Sequence, residues 1–212
     1  AGFSIVKYTM GSSDIRVGHG LNAEPELVIT RRYSDTDSWI TYHASLGKSK
    51  YLFLNGTNAA FTDTSDAFTS TNNSVFDARQ GLINAGDCIA FCFAPVPGFS
   101  AFGSYEGNGS SDGPFQWCGF RPAVLLWKNA DGSFEWGIID SKRDEINYMS
   151  KTLNPSSSGS ESSRSSNDAF DFLSNGFKVR AGGSNARNQN GSTFIWAAFA
   201  ENPFSANGGL AR

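Results

Sequence analysis

The feature that most constrains this chain is that it says nearly the same thing twice. Gly2-Phe3-Ser4 recurs as Gly98-Phe99-Ser100, Tyr8 as Tyr105, "PELVI" (25–29) as "PAVLL" (122–126), and Trp39 as Trp136. "CIAFCFAPVP" (88–97) recurs as "FIWAAFAENP" (194–203), with Ile89 on Ile195 and Phe93 on Phe199. Matches held in order over so long a stretch predict an internal duplication, with repeat one at 2–97 and repeat two at 98–204. A fold for this chain must therefore accommodate two similar halves.

Each half reads as a series of short strands. In the first these are "FSIVKYT", "ELVITRRY", "SWITYHASL", "KYLFLN", "SVFDA" and "DCIAFCFA". In the second they are "FSAFGSY", "AVLLWKN", "SFEWGIID", "GFKVRA" and "STFIWAAFA". Turn residues separate the runs, and "NADGSF" (129–134) places Asp-Gly between two apolar segments, a strong hairpin signal. No segment sustains helical periodicity. Aromatics at 14% and 23 glycines fit pleated surfaces joined by tight turns. The fold class is all-β, a β-sandwich of the jelly-roll kind built from an internal duplication.

"APVPGFS" passes from one copy to the next without a linker, and one copy alone would have a thin core. A single pseudo-symmetric sandwich over residues 1–204, with a C-terminal tail at 205–212, is the expected organisation. "NPSSSGSESSRSSNDA" (154–169) matches nothing of similar composition in the first copy. Its Ser, Gly and charge cannot bury enough surface to offset ordering entropy, which predicts a mobile surface loop.

Charge and thiols narrow the function classes. A net charge of −3 without a basic run gives no footprint for nucleic acid. No apolar run approaches the ~20 residues of a membrane span, so no membrane insertion is expected. Cys88 and Cys92 on one strand would lie about 13 Å apart at about 3.3 Å per residue, too far for a disulfide. With Cys118 they read as inert core thiols, fitting folding in a reducing cytoplasm.

Tests for chemistry mostly fail. Glycoside cleavage needs two carboxylates facing each other. Glu135 and Asp140 have odd spacing on a strand, and Asp35 and Asp37 sit in a turn. His19 and His43 are far apart in sequence, so no metal set is expected from them. No nucleophile elbow or phosphate loop is present. Asp/Asn-rich turns offer oxygens for structural calcium, but no ligand loop declares itself, and no cofactor and no enzymatic activity are expected.

Binding residues are sought where the copies differ. Trp39 and Trp136 are equivalent and read as core, as do Trp127 and Trp196 in apolar strands. Trp117, in "GPFQWCGF", falls opposite Gly20 of the first copy and is the tryptophan expected on one face alone. Just past a strand end, "IIDSKRDEINY" (138–148) gathers Asp140, Lys142, Arg143, Asp144 and Glu145. It reads either as a charged loop that pairs with itself or as a recognition loop on a rigid scaffold. The candidate ligand-binding residues are Trp117, Tyr33, Asp140, Lys142, Arg143 and Asp144.

The series "VGHGL…PELVITRR", "SWITYHASLG", "YLFLN", "CFAPVPGFSAFGSYEGNGSSDGPF", "GFRPAVLLWK", "DSKRD", "FDFLSNGFKVR" and "FAENPF" resembles a duplicated domain of tailed-bacteriophage structural proteins, found in tail fibres and related appendages. "GSYEGNGSSDGPF" and "FAENPF" carry the resemblance most specifically. It implies a concanavalin A-like lectin sandwich, a virion location after assembly in the host cytoplasm, and no enzymatic activity. It also implies other virion proteins as partners, and a homo-oligomer, trimeric if a fibre. The function expected is a tail-fibre or spike domain binding host-surface glycans; the alternative is a capsid decoration or purely architectural module.

Overall fold

The structure, a computed structural model, describes residues 2–64, 68, 71–182 and 185–202. The predicted tail, 205–212, lies outside the described residues, as do the last two residues of "FAENPF". The chain divides into two compact units, Ala1–Pro95 and Val96–Arg212, close to the boundary between the sequence copies.

In the first unit the strands are β1 (Phe3–Met10), β2 (Ile15–Gly18), β3 (Leu27–Arg32), β4 (Ile40–His43), β5 (Lys50–Phe53), β6 (Phe61–Thr62), β7 (Val75–Ala78) and β8 (Gly86–Phe93). Six form one antiparallel sheet in the order β1-β8-β3-β4-β5-β6, and β2 pairs with β7 in a separate ribbon. Alternation decides which face is buried. Cys88, Ala90 and Cys92 of β8 point into the core, while Ile89, Phe91 and Phe93 are half-buried on the other face. The core lies between sheet and ribbon, where Val28, Tyr42 and Ala90 meet Val17, Phe76 and Ala78.

The second unit holds β9 (Ser100–Glu106), β10 (Phe115–Trp117), β11 (Pro122–Asn129), β12 (Gly137–Asp140), β13 (Lys151–Thr152), β14 (Ser162–Ser163), β15 (Phe170–Leu173), β16 (Gly176–Val179) and β17 (Thr193–Ala200), with one helical turn, α1 (Asn185–Asn188). A four-stranded sheet, β12-β11-β17-β9, is layered with a three-stranded sheet, β10-β16-β15. Leu125, Trp127, Phe194 and Trp196 of the larger sheet pack with Phe170, Phe172, Phe177 and Val179 of the smaller. Both units are all-β and sandwich-like. Each closes over its own apolar cluster. The strands β2 and β7 in the first unit, and β10 and β16 in the second, supply the second layer that thickens each core.

The two units share one pairing order. β1-β8-β3-β4 has its counterpart in β9-β17-β11-β12, β5–β6 in β13–β14, and β2–β7 in β10–β16. Register agrees as well. Leu27 faces both Phe93 and His43, as Val124 faces both Phe199 and Asp140. Lys50 faces Thr62 as Lys151 faces Ser163. The Ser-rich stretch therefore has a positional counterpart between β5 and β6. Expected as a mobile loop, it carries β14 and a turn in which Ser157 N–H donates to the Asn154 carbonyl. Backbone pairing needs no apolar side chain, and the Asn154 amide donates to the Trp136 carbonyl as a further tie (2.8 Å).

Register also corrects one equivalence. His19 N–H donates to the Ser74 carbonyl as Cys118 N–H donates to that of Asn175, and Gly20 and Gly119 both take positive φ, 67° and 78°. Trp117 therefore stands opposite Gly18 of the first unit, not Gly20.

Candidate functional site

The outer face of the β10-β16-β15 sheet differs between the two units. Inward go Phe172, Phe177 and Val179, all fully buried. Outward, by alternation, go Phe115 and Trp117 on β10, Lys178 on β16, and Asp171 and Leu173 on β15. Trp117 is 69% exposed and Phe115 43% exposed. The corresponding positions in the first unit hold Gly18 and Arg16, with Arg16 across from Asp77. An aromatic shelf thus exists in one unit and an ion pair in the other.

A cleft of about 430 Å³ opens beside this face. Its lining is Ser111, Asp112, Tyr148, Ser166, Asn167, Asp171 and Arg180. Ser111 and Asp112 come from the loop "EGNGSSDG" (106–113), which is clamped onto the residues around α1. Asn188 and Asn108 exchange hydrogen bonds (2.9 Å each), and Asn188 also donates to the Ser110 carbonyl (2.8 Å). Side chains at Gly107 or Gly113 would overlap the Gln189 or Val179 carbonyls, so this close approach requires glycine.

Tyr148 comes from the opposite side, on the segment joining β12 to β13. The Asn147 side chain both donates to the Phe172 carbonyl and accepts from the Phe172 N–H (2.9 Å each). It caps the open edge of β15 as a partner strand would. Asp144 Oδ2 accepts from the N–H groups of Ser150 (2.6 Å) and Lys151 (2.7 Å), fixing the far end of the segment.

Electrostatically the cleft is balanced. Lys178 pairs with Asp112 (2.6 Å), and Arg180 with Asp171 (2.6 Å). The hydrogen bond from Lys178 holds the Asp112 carboxyl below its ordinary value. An aromatic ring, hydroxyls, an amide and two self-compensated ion pairs provide stacking together with closely spaced donors and acceptors. That combination suits a polyhydroxylated ligand better than a charged or purely apolar one.

Of the residues singled out in the sequence, Trp117 stands on this face. Asp140 ends β12 and pairs with Arg143 on the segment that follows, where Lys142 and Asp144 also sit. Burial works against the Asp140 charge, yet the Arg143 side chain and the N–H groups of Arg143 and Lys142 hold its carboxyl below the ordinary value. Arg143 also reaches Glu161 (3.4 Å). Lys142 is exposed. Tyr33 belongs to the first unit, where Lys7 lies over its ring (5.4 Å). Asp112, Tyr148, Asn167, Asp171 and Arg180 were not singled out. The usable signal was the "GSSDG" motif, which builds one wall.

Other expectations resolve locally. Trp127, Trp136 and Trp196 are core, but Trp39 is only half-buried, stacked under Arg31 (5.0 Å) and against Phe91. Equivalence in register does not guarantee equal cover. Cys88, Cys92 and Cys118 are free and buried, and burial pushes the Cys92 and Cys118 thiols up to about 12. His19 and His43 are buried and accept the Leu21 and Ser45 N–H groups, each through Nδ1. Glu135 lies outside β12, and Asp37 binds Arg32 through both oxygens (2.7 and 3.1 Å). A smaller cleft of about 300 Å³ in the first unit is lined by this paired Arg32–Asp37 system with Asn84 and apolar neighbours. Among the described residues, no three His, Cys, Asp or Glu side chains gather as a metal site requires, and no helix is long and apolar enough to cross a membrane.

Residues 1–203 match one family model, described as a domain of unknown function, DUF7483. The chain belongs to the DUF7483 family. The match runs through both units. No curated protein and no solved structure matches the chain.

Proposed function

We propose that the chain is a structural domain of a bacteriophage virion, from a tail fibre or spike, that binds a host-surface glycan through the cleft of the second unit. The two units are read as duplicated copies, of which the second has acquired the binding face. The observation that carries this reading is the convergence of Tyr148 (41% exposed) with the charge-compensated polar lining of Asp112, Asn167, Asp171 and Arg180. The sequence resemblance supplies the virion setting. Binding is non-enzymatic, and weak single sites are multiplied by assembly into an oligomer.

A second reading has its own observation. Phe3 (42% exposed) and Ile5 (57% exposed) stand side by side on β1, the edge strand of the first unit's sheet. Exposed apolar residues on a sheet edge suit contact with another virion protein, which favours a purely architectural module.

One experiment separates the two. The labelled protein is applied to a glycan array and to intact candidate host cells, with Tyr148→Ala alongside. Saturable binding competed by one sugar class and lost in the variant supports glycan recognition. Absence of binding by an artificially multimerised form supports the architectural module.

A further inference from the structure

Resting on the glycan reading of the cleft, we infer that the Phe115–Trp117 shelf is a second subsite of the same groove, so that the ligand is an uncharged oligosaccharide chain and not a single terminal sugar. Phe115, Lys178 and Asp171 form one cross-strand row on the outer face of the sheet, and Trp117 starts the next row opposite Gly176. Neighbouring strands lie about 4.8 Å apart, so Phe115 and the Asp171 wall of the cleft are separated by about 10 Å. Trp117 is displaced by a further ~6.6 Å along the strand. One pyranose ring cannot touch both ends of that face; a chain of several can.

Three observations point to a sugar chain as the occupant. The Phe115 row continues as a polar strip, because Lys178 and Asp171 stand between that ring and the cleft, while Leu173 ends the Trp117 row. The Trp117 indole lies along Gly119, which has no side chain to cover it, and the residue stays 69% exposed, so ring surface is left for a ligand to stack on. Lys178 and Arg180 each already hold a carboxylate, Asp112 and Asp171, so the strip offers alternating donors and acceptors without net charge. An anionic polysaccharide would have to displace those carboxylates. A neutral chain need not.

The test uses reducing-end-labelled ladders of neutral glucan, mannan and galactan oligosaccharides, one to six units long, with oligogalacturonate as the acidic comparison. Affinities are measured for the full chain and for Trp117→Ala and Trp117→Phe. In the wild type one neutral ladder is expected to gain about tenfold in affinity between one and four units, the effect of one good aromatic contact. Trp117→Ala removes that gain with length, while Trp117→Phe restores part of it. Equal affinity for all lengths, or an unchanged gain in Trp117→Ala, overturns the shelf while leaving the cleft as a sugar site. Preference for oligogalacturonate overturns the uncharged ligand. Failure of every ladder to bind overturns the glycan reading on which the inference stands. Unchanged unfolding profiles for both variants establish that the losses are not losses of fold.

Discussion

Trp117 lies directly across the ladder from Gly176, and a methyl group at 176 would overlap the Gln116 carbonyl oxygen. The exposed indole therefore depends on a residue that has no side chain. Gly176→Ala is expected to separate β10 from β16 and to destabilise the second unit by about 1–3 kcal/mol, the usual cost of overpacking. Denaturant unfolding followed by tryptophan emission checks this. A Trp117→Ala control should unfold like the wild type, since that side chain is mostly in water.

Asn147 substitutes for a missing strand at the β15 edge. Asn147→Ala leaves the Phe172 N–H without its side-chain acceptor, while the carbonyl keeps the Arg121 guanidinium (2.6 Å). A cost of about 1–3 kcal/mol is expected from the unmade bonds. Faster amide exchange at Phe172, with β11 and β17 unaffected, would mark the loss as local.

Much of the large sheets was legible and little of the small one. β8 and β17 announce themselves because "CIAFCF" and "FIWAAF" are long, apolar and bounded by turn residues. β10 is three residues long, lies between Pro114 and Gly119, and points its aromatics outward, so neither length nor burial pattern marks it. β14 is Ser162–Ser163, held by backbone groups to which composition is blind. The cleft was illegible for a different reason. Tyr148 is brought beside Asp171 by the Asn147–Phe172 clamp, a contact between residues distant in sequence that no local pattern encodes. Trp39 shows the limit of arguing from matched positions, because the two units share register there but not cover.

Lys128 gives a pH prediction whose sign is unusual. It is fully buried, and its amine donates to the carbonyls of Asn129 (2.6 Å) and Gly132 (3.0 Å), bracing the β11–β12 turn. Desolvation lowers it from 10.5 to about 8. Between those values the unfolded chain binds more protons than the folded one, so this lysine makes the fold more stable as pH rises through that window. The thiols of Cys92 and Cys118 act oppositely: raised from 9.0 to about 12, they favour the fold below pH 9 and lose that contribution as pH climbs toward 12. Lys128→Met, lacking the rising contribution, should lose stability with pH more steeply than the wild type between pH 8 and 10.5. Parallel slopes in denaturant titrations would contradict the assignment.

The buried thiols allow a direct check of both cores. An aromatic disulfide reagent is expected to modify none of Cys88, Cys92 and Cys118 in the native chain and all three after denaturation. Rapid native labelling at Cys118 alone would mean that the smaller sheet of the second unit opens readily.

The central claim is that the second unit's cleft holds a sugar, and the most direct measurement is a calorimetric titration of the whole chain with purified neutral polysaccharide. Tyr148→Ala and the first-unit variant Tyr33→Ala are run in parallel. The prediction is a saturable isotherm for the wild type, preserved in Tyr33→Ala and lost or weakened about tenfold in Tyr148→Ala, as removal of one stacked ring implies. An isotherm unchanged in Tyr148→Ala, or abolished in Tyr33→Ala, would contradict it.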